Sequence, residues 1–179
     1  PAETFENGDH TMTMISTRLG KTIQIQHDVM TPRPYDRMYQ IVGTKGYAEK
    51  YPKPSFSFEP EQLPEGISRE NVDAHAFVPD DVYDALMEQY KPEIVKEIGE
   101  YAKKVGGHGG MDFIMDYRLV YCLHNGLPLD MDVYDLAEWC CLGELGSISI
   151  RNGSAPVEVP DFTRGGQDKI KGFSYAFAR

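Results

Sequence analysis

The first third of the chain alternates polar and apolar residues in short runs, a pattern typical of β-strands that bury one face. The predicted strands span 10–18, 21–30, 36–43 and 47–51, with a short edge strand at 55–58. The first two runs flank a Leu-Gly-Lys turn, so they predict a β-hairpin. Along the second strand the polar face carries Gln26 and Asp28, and the other face carries His27.

From Pro79 onward, apolar residues recur every three or four positions, which is the periodicity of helices. The predicted helices span 79–90, 92–105, 110–125 and 131–145, the last with an alternative end at 150. Trp139 is predicted to be a core residue of the fourth helix. The tail over 156–179 is predicted to be extended or irregular.

Strands followed by helices indicate an α+β domain, in which helices pack on one face of a mainly antiparallel, open β-sheet. We expect a single domain over residues 1–179. No β-α-β rhythm occurs and no GxGxxG follows a strand, so a Rossmann dinucleotide-binding domain is absent from this chain. The chain does not begin with Met and its first ten residues form no signal peptide, so we expect a fragment or a processed piece of a longer protein.

Charge and cysteine usage exclude some classes of function. The formal net charge of −10 argues against a nucleic-acid surface and against binding to an anionic membrane. No apolar run is long enough for a membrane helix. Cys and His never cluster at ligand spacing, so no metal site is expected.

A Gly-Gly-His-Gly-Gly loop over 106–110 precedes the third predicted helix. Glycines let a backbone approach a ligand closely, and a helix start carries unpaired N–H groups. His108 and Asp112 are four positions apart across this start, and an imidazole oriented by a carboxylate can act as a general acid–base pair. The alternative is a solvated His108 beside an Asp112 that only complements the helix dipole.

A second candidate lies in the proline-stiffened segment Thr-Pro-Arg-Pro-Tyr-Asp-Arg over 31–37, shortly after His27. Arg33 and Arg37 flank Tyr35, and a stiff loop loses little entropy when it grips a ligand. Guanidinium donors and an aromatic face suit a polyhydroxylated substrate. Alternatively, the arginines pair with nearby carboxylates and Tyr35 packs.

Tyr117 lies farther along the third predicted helix and belongs to one face with Phe113 and Tyr121. Its hydroxyl could orient a substrate group in a pocket, or its ring could belong to the helix–sheet core.

Three strings coincide in this order: QHDVMTPRPYDRMYQIVGTKGYAEKYP, GGHGGMDFIMDYRLVYCLHNGLPLDMDVYDLAEW and APVEVPDFTRG. Together they resemble the C-terminal domain of glycoside hydrolase family 109. These are NAD-dependent α-N-acetylgalactosaminidases of the glucose–fructose oxidoreductase and inositol dehydrogenase superfamily. The resemblance covers most of residues 10–165. Residues 142–150 are richer in glycine than the family's long helix, and residues 166–179 match nothing in it.

The resemblance implies that this chain is a fragment of a two-domain enzyme whose N-terminal Rossmann domain binds NAD and is missing here. It also implies a C-terminal sheet that forms contacts in a homo-oligomer. It implies cleavage of α-N-acetylgalactosaminides through transient oxidation at C3 of the sugar, elimination at C1 and hydration, the cofactor supplying the redox chemistry. A glycan-processing role is compatible with an exported, periplasmic location of bacterial type, but these residues do not identify the compartment.

The resemblance also implies roles for particular residues. Arg33, Tyr35 and Arg37 would lie in the substrate-binding loop. Tyr117 would contact the substrate, and His108 would lie beside the reacting sugar as a proton shuttle or hydroxyl partner. His27 and Asp112 complete the candidate binding set. The catalytic base is expected in the Rossmann half or its junction, so the isolated chain is expected to be inactive.

Two alternatives remain open from the sequence. The chain could be the C-terminal domain of an NAD(P)-dependent sugar or cyclitol dehydrogenase, which would release NADH. It could also be a non-catalytic sugar-binding or dimerisation module.

Overall fold

The structure, a computed structural model, describes residues 8–28 and 30–166. Within them the chain forms four α-helices and two small antiparallel sheets, which confirms the predicted α+β class. The chain divides into two compact units at the junction between Met38 and Tyr39. We call residues up to Met38 the hairpin unit and residues from Tyr39 onward the helical unit. The strands therefore form two sheets, one in each unit, where a single sheet was predicted.

The hairpin unit consists of strands β1 (His10–Ser16) and β2 (Thr22–Asp28) and the segment that follows them. The strands pair antiparallel, with His10 opposite Asp28 and Ser16 opposite Thr22, which confirms the predicted hairpin. The alternation of faces is also as predicted, but Gln26 and Asp28 on the polar face are more covered than Ile25 on the apolar face.

The sheet of the helical unit contains β3 (Gln40–Val42), β4 (Gly46–Glu49) and β5 (Ser55–Phe58), in that order. The third strand is much shorter than the predicted 36–43. Met38 and Tyr39 have φ values of 60° and 46°, in the left-handed region, where the backbone cannot continue a β-ladder.

Four helices follow: α1 (Asp80–Gln89), α2 (Glu93–Val105), α3 (Met111–Asn125) and α4 (Val133–Arg151). Prolines directly precede α1 and α2, where their fixed φ angle suits a helix start. Asp132 caps α4 by accepting from the backbone N–H groups of Tyr134 and Asp135. The helix continues through Gly143 to Arg151, because a helical glycine costs only about 1 kcal/mol relative to alanine.

The core of the helical unit lies between its sheet and α1. Its buried members are Leu63, Val72, Val78, Val82 and Leu86. Phe56 of β5 stacks on Tyr83 of α1 with ring centroids 5.3 Å apart. A second contact joins α2 to α3, where Ala102 and Cys122 are buried and Tyr101 packs edge-on against Phe113.

No residue of α4 is buried within the part of the chain that the structure describes. Trp139 is 58% exposed, so its prediction as a core residue is wrong for this chain. Val133, Leu136 and Ile150 are also more than half exposed. Nothing among the described residues packs closely enough over α4 to bury these side chains.

The predicted irregular tail is confirmed in part. Residues 156–166 contain no helix or strand, and the remainder of the tail lies outside the described residues. Among the helices that the structure describes, none has both the length and the apolar character needed to cross a membrane.

Candidate functional site

The glycine loop before α3 brings His108 and Asp112 together. Gly107 and Gly110 have φ values of 73° and 97°, which allow a tight turn between α2 and α3. A Cβ on Gly107 would lie 2.8 Å from Oδ2 of Asp112, and a Cβ on Gly110 would lie 2.7 Å from the backbone carbon of Ala102. Glycine is therefore required at both positions, once for the approach of Asp112 and once for the packing of the loop on α2.

Within this loop, Nδ1 of His108 lies 2.9 Å from Oδ2 and 3.2 Å from Oδ1 of Asp112. A proton on Nδ1 is thus held by the carboxylate, which leaves Nε2 as the nitrogen that can accept or donate a proton. The imidazole is 77% exposed, so its outer nitrogen is accessible from solvent. The backbone of His108 itself has a φ of 47°, a conformation that L-residues adopt at a cost in strain.

Tyr117 lies in a row of aromatic side chains along α3. Its ring centroid is 6.4 Å from that of Phe113 and 6.3 Å from that of Tyr121, with interplanar angles of 29° and 17°. The side chain is half-buried, and helix geometry places it about 9 Å along the axis from Met111, the first residue of α3. The ring therefore packs within the aromatic row of α3, and the role of the Tyr117 hydroxyl stays a prediction.

The Thr31–Arg37 segment forms the wall of a cavity in the hairpin unit. The cavity has a volume of about 430 Å³, which is within the usual range for small-molecule sites. Its floor includes Gln26 and Asp28 of β2, and its wall includes Arg33, Tyr35 and Arg37. The structure therefore brings these three predicted residues together.

The two arginines differ in their partners. Nη1 of Arg33 donates to Oδ2 of Asp28 at 3.0 Å, so this guanidinium is engaged in an ion pair. The guanidinium carbon of Arg37 lies 5.4 Å from the ring centroid of Tyr35, in a cation–π contact. Among the described residues, no carboxylate lies within ion-pair distance of Arg37. Of the two arginines, Arg37 is therefore the one whose donors are available to a ligand.

His27 does not line this cavity, although it is adjacent to Asp28 in the sequence. Successive side chains of a strand point to opposite faces, so His27 lies on the face of β2 that also carries Ile25. The floor position is instead occupied by Asp28, whose side chain is only 5% exposed. Asp28 was not among the predicted site residues, and its position on the polar face with Gln26 was the signal that could have identified it.

Hydrogen bonds from Thr31, first from its hydroxyl and then from its backbone N–H, hold the pKa of Asp28 below the ordinary range for aspartate. Asp28 is therefore ionised at neutral pH and can remain paired with Arg33.

The candidate residues fall into two groups in two units. Arg33, Tyr35 and Arg37 belong to the hairpin unit, whereas His108, Asp112 and Tyr117 belong to the helical unit. No group of three metal-ligating side chains suited to hold an ion occurs among the residues described.

Comparison with known families identifies the domain that carries these groups. The family "Glycosyl hydrolase 109, C-terminal domain" matches residues 2–169, which is nearly the whole chain. The chain belongs to glycosyl hydrolase family 109. This confirms the resemblance drawn from the three sequence strings, and it identifies the chain as a domain of a glycosidase family.

Several family 109 proteins of bacteria are close relatives in sequence. Glycosyl hydrolase family 109 protein 1 of Phocaeicola vulgatus is 63% identical over 99% of this chain. The protein of the same name from Bacteroides thetaiotaomicron is 64% identical over 97% of the chain. A family 109 protein of Porphyromonas gingivalis is 62% identical over 97% of it. In each case the chain spans 38% of the relative's length.

The family match includes residues 142–150, where the glycine content departed from the expected pattern. The structure accommodates these glycines within the continuous helix α4. The departure therefore reflects local composition and does not interrupt α4.

Proposed function

We propose that this family 109 domain is the substrate-binding part of a longer NAD-dependent glycosidase that cleaves α-N-acetylgalactosaminides. The observation that carries the proposal is the cavity of the hairpin unit, where an aromatic ring and an arginine without a carboxylate partner among the described residues face a space of sugar size. Membership of family 109 supports glycosidase chemistry in the longer protein.

In the proposed site, Tyr35 supplies the face on which a sugar ring stacks. Its side chain is 69% exposed, while Arg37 packs against the ring. The Arg37 guanidinium supplies N–H donors to the sugar oxygens, including the acetamido carbonyl of an N-acetylgalactosaminide. Pro34, directly before Tyr35, fixes a φ angle and limits the entropy lost when a ligand binds.

In the helical unit, the His108–Asp112 pair is suited to move a proton. With Nδ1 protonated and held by Asp112, the exposed Nε2 of His108 can accept a proton from a hydroxyl or return one. Tyr117 is proposed to contact the substrate through its hydroxyl. The role of a general base that removes the C2 proton is proposed for residues outside this chain.

The residues that the structure describes do not form an NAD site by themselves. All strand pairs that the structure describes are antiparallel, and no strand leads through a glycine-rich turn into the helix of a β-α-β unit. NAD is therefore proposed to be held by other residues of the longer protein. When bound, it would supply hydride transfer at C3 of the sugar; no step of that transfer is assigned to residues of this chain.

The proposed partners are a carbohydrate substrate and a second copy of the protein. Ile23 and Ile25 share one face of the hairpin and remain partly exposed, which supports contacts between copies through this sheet.

The test uses the full-length protein with an aryl α-N-acetylgalactosaminide in D₂O, and follows aglycone release, NADH absorbance and deuterium at C2. We expect aglycone release without net NADH and with deuterium at C2. Steady NADH formation from free sugars or cyclitols, without aglycone release, would assign the protein to the dehydrogenase alternative. Neither activity, with retained sugar binding, would assign it to the non-catalytic module.

The purified 179-residue chain is expected to release no aglycone in the same assay, with or without added NAD. Hydrolysis by this chain alone would contradict the proposal that the cofactor and the general base lie outside it.

A further inference from the structure

We propose that Asp28 is a positioning residue that fixes the Thr31–Arg37 segment, and thereby sets the orientation of Tyr35 and Arg37 toward the sugar. We call the contacts of Asp28 with Thr31 and Arg33 the clamp. The expected effect of the clamp on catalysis rests on the proposed function, whereas the clamp itself is a property of the fold.

Asp28 is the last residue of β2, in register with His10 of β1. Its position is therefore set by the hairpin ladder. Its side chain is 5% exposed, although Arg33 beside it is 45% exposed. An ionised side chain so covered by an exposed loop must have its oxygens satisfied by that loop.

Both oxygens of Asp28 accept hydrogen bonds from the segment. Oδ1 accepts from the backbone N–H of Thr31 at 3.2 Å, and Oδ2 accepts from the Thr31 hydroxyl at 2.6 Å. Oδ2 also accepts from Nη1 of Arg33 at 3.0 Å. One carboxylate thus fixes two residues of the segment that are two positions apart. Nδ1 of His10 lies 3.5 Å from the same Oδ2, on the side of the ladder.

Two prolines transmit this constraint to Tyr35. The order is Thr31, Pro32, Arg33, Pro34, Tyr35, so each fixed residue is followed by one whose φ angle is locked by its ring. Two of the four φ torsions between Thr31 and Tyr35 are therefore locked, and each proline also restricts the backbone of the residue before it. Arg37 then packs on the Tyr35 ring, so fixing the ring also fixes the guanidinium.

This arrangement assigns different tasks to the two arginines. Arg33 donates to Asp28 as part of the clamp, whereas Arg37 is left to donate to the ligand. Asp28 and Arg33 should therefore be energetically coupled, whereas Asp28 and Arg37, which share no hydrogen bond or ion pair, should act more independently.

The experiment uses full-length protein with Asp28→Asn and Thr31→Val, both of which remove bonds of the clamp. Thr31→Ser keeps the hydroxyl and is the conservative rescue variant. Asp9→Asn, an exposed aspartate just before β1, is the matched control. Thr31 is itself exposed, so its substitution leaves the variant folded even where Asp28→Asn does not.

The first readout is limited tryptic cleavage, which needs no catalytic activity. Trypsin does not cut before proline, so Arg33–Pro34 resists it and Arg37–Met38 reports on the segment. Cleavage after Arg18, in the hairpin turn, is the internal reference. We expect Thr31→Val to raise the ratio of Arg37 to Arg18 cleavage by about fivefold, the effect expected for the loss of one hydrogen bond. Asp28→Asn should raise the ratio at least as much, because it also removes the charge that pairs with Arg33. Thr31→Ser and Asp9→Asn should match the wild type.

The second readout separates KM from kcat with the aryl glycoside. We expect Asp28→Asn and Thr31→Val to raise KM by about fivefold with kcat within about twofold, because a misplaced Tyr35 weakens binding. An unchanged cleavage ratio in both variants would overturn the clamp. A lower kcat at unchanged KM would overturn its role in binding. If the wild-type protein cleaves no glycoside, the proposed function fails while the tryptic ratio still decides the clamp.

Discussion

Two neighbouring glycines beside His108 show how differently single residues of one loop are constrained. Gly109 and Gly110 both have positive φ, 70° and 97°. A Cβ on Gly110 would lie within 2.8 Å of backbone atoms of α2, whereas a Cβ on Gly109 would meet nothing within 4 Å. Substitution by alanine therefore separates backbone strain from a steric clash.

We expect Gly109→Ala to destabilise the protein by about 1 kcal/mol, from left-handed strain alone. Gly110→Ala adds a clash against a backbone that cannot yield, and we expect a loss of about 3 kcal/mol or more. Thermal unfolding midpoints of the two full-length variants provide the measurement. Equal shifts would show that the packing of the loop on α2 is looser than described.

Tyr117 allows the hydroxyl to be tested apart from the ring. Tyr117→Phe keeps the stacking with Phe113 and Tyr121, so stability should change little. If the hydroxyl contacts substrate, kcat/KM of the full-length enzyme should fall by at least about tenfold, on the order of 1.4 kcal/mol of transition-state binding. Tyr121→Phe, one turn farther along α3, is the control. An unchanged kcat/KM for both variants would leave Tyr117 with a packing role only.

At the scale of elements, the ends of the helices were more predictable than those of the strands. Proline before α1 and α2, and the Asn125-Gly126 pair at the end of α3, act locally, so the sequence carried these signals. The shortening of β3 depends on left-handed backbone at Met38 and Tyr39, residue types that rarely adopt it. Residue propensities could therefore not have predicted that β3 starts only after Tyr39.

Local sequence also does not decide the roles of the two aspartates before α4. Both Asp130 and Asp132 precede the helix, and the pattern predicts capping for either. The structure confirms Asp132 as the cap, but Asp130 instead accepts two hydrogen bonds from the guanidinium of Arg118, at 2.8 and 2.9 Å. Only the path of the chain after α3 distinguishes the two carboxylates.

The Arg118–Asp130 pair ties α3 to the segment before α4, and the two partners differ in burial. Arg118 is 6% exposed, so Asp130→Ala would leave a buried cation without this carboxylate. We expect a loss of about 3 kcal/mol. Arg118→Met leaves Asp130, which is more exposed, and should cost less. Thermal midpoints of the two variants test this order, and the double variant should recover part of the loss. A larger effect of Arg118→Met would contradict the assignment of the buried charge to arginine.

At the scale of the whole molecule, sequence motifs located both candidate groups, because each lies in one short segment. The sequence could not show which arginine is engaged, since that depends on Asp28 approaching Arg33 from the preceding strand. Nor did alternation alone predict two sheets, because a period of two specifies the faces of a strand and not its partner. The roles of His27, Tyr117 and the other site residues stay predictions.

Association between copies is expected through the isoleucine face of the hairpin. Ile25→Lys should shift the full-length protein toward the monomer in sedimentation velocity, because a buried ammonium without a partner is costly at an interface. Met14→Lys, on the opposite face of the same hairpin, is the control and should leave the assembly intact. A monomeric wild-type protein, or a stronger effect of Met14→Lys, would contradict this interface.

The exposure of α4 has a consequence for spectroscopy. Trp139 is the single tryptophan of the chain, and it lies on the helix that the described residues leave uncovered. The fluorescence of an indole shifts to shorter wavelength when water is removed from its surroundings. The emission of this domain therefore reports on one helix only, without an added label. A polypeptide that covers Trp139 on α4 would therefore shift the Trp139 emission maximum to shorter wavelength. It would also reduce the quenching of that emission by iodide.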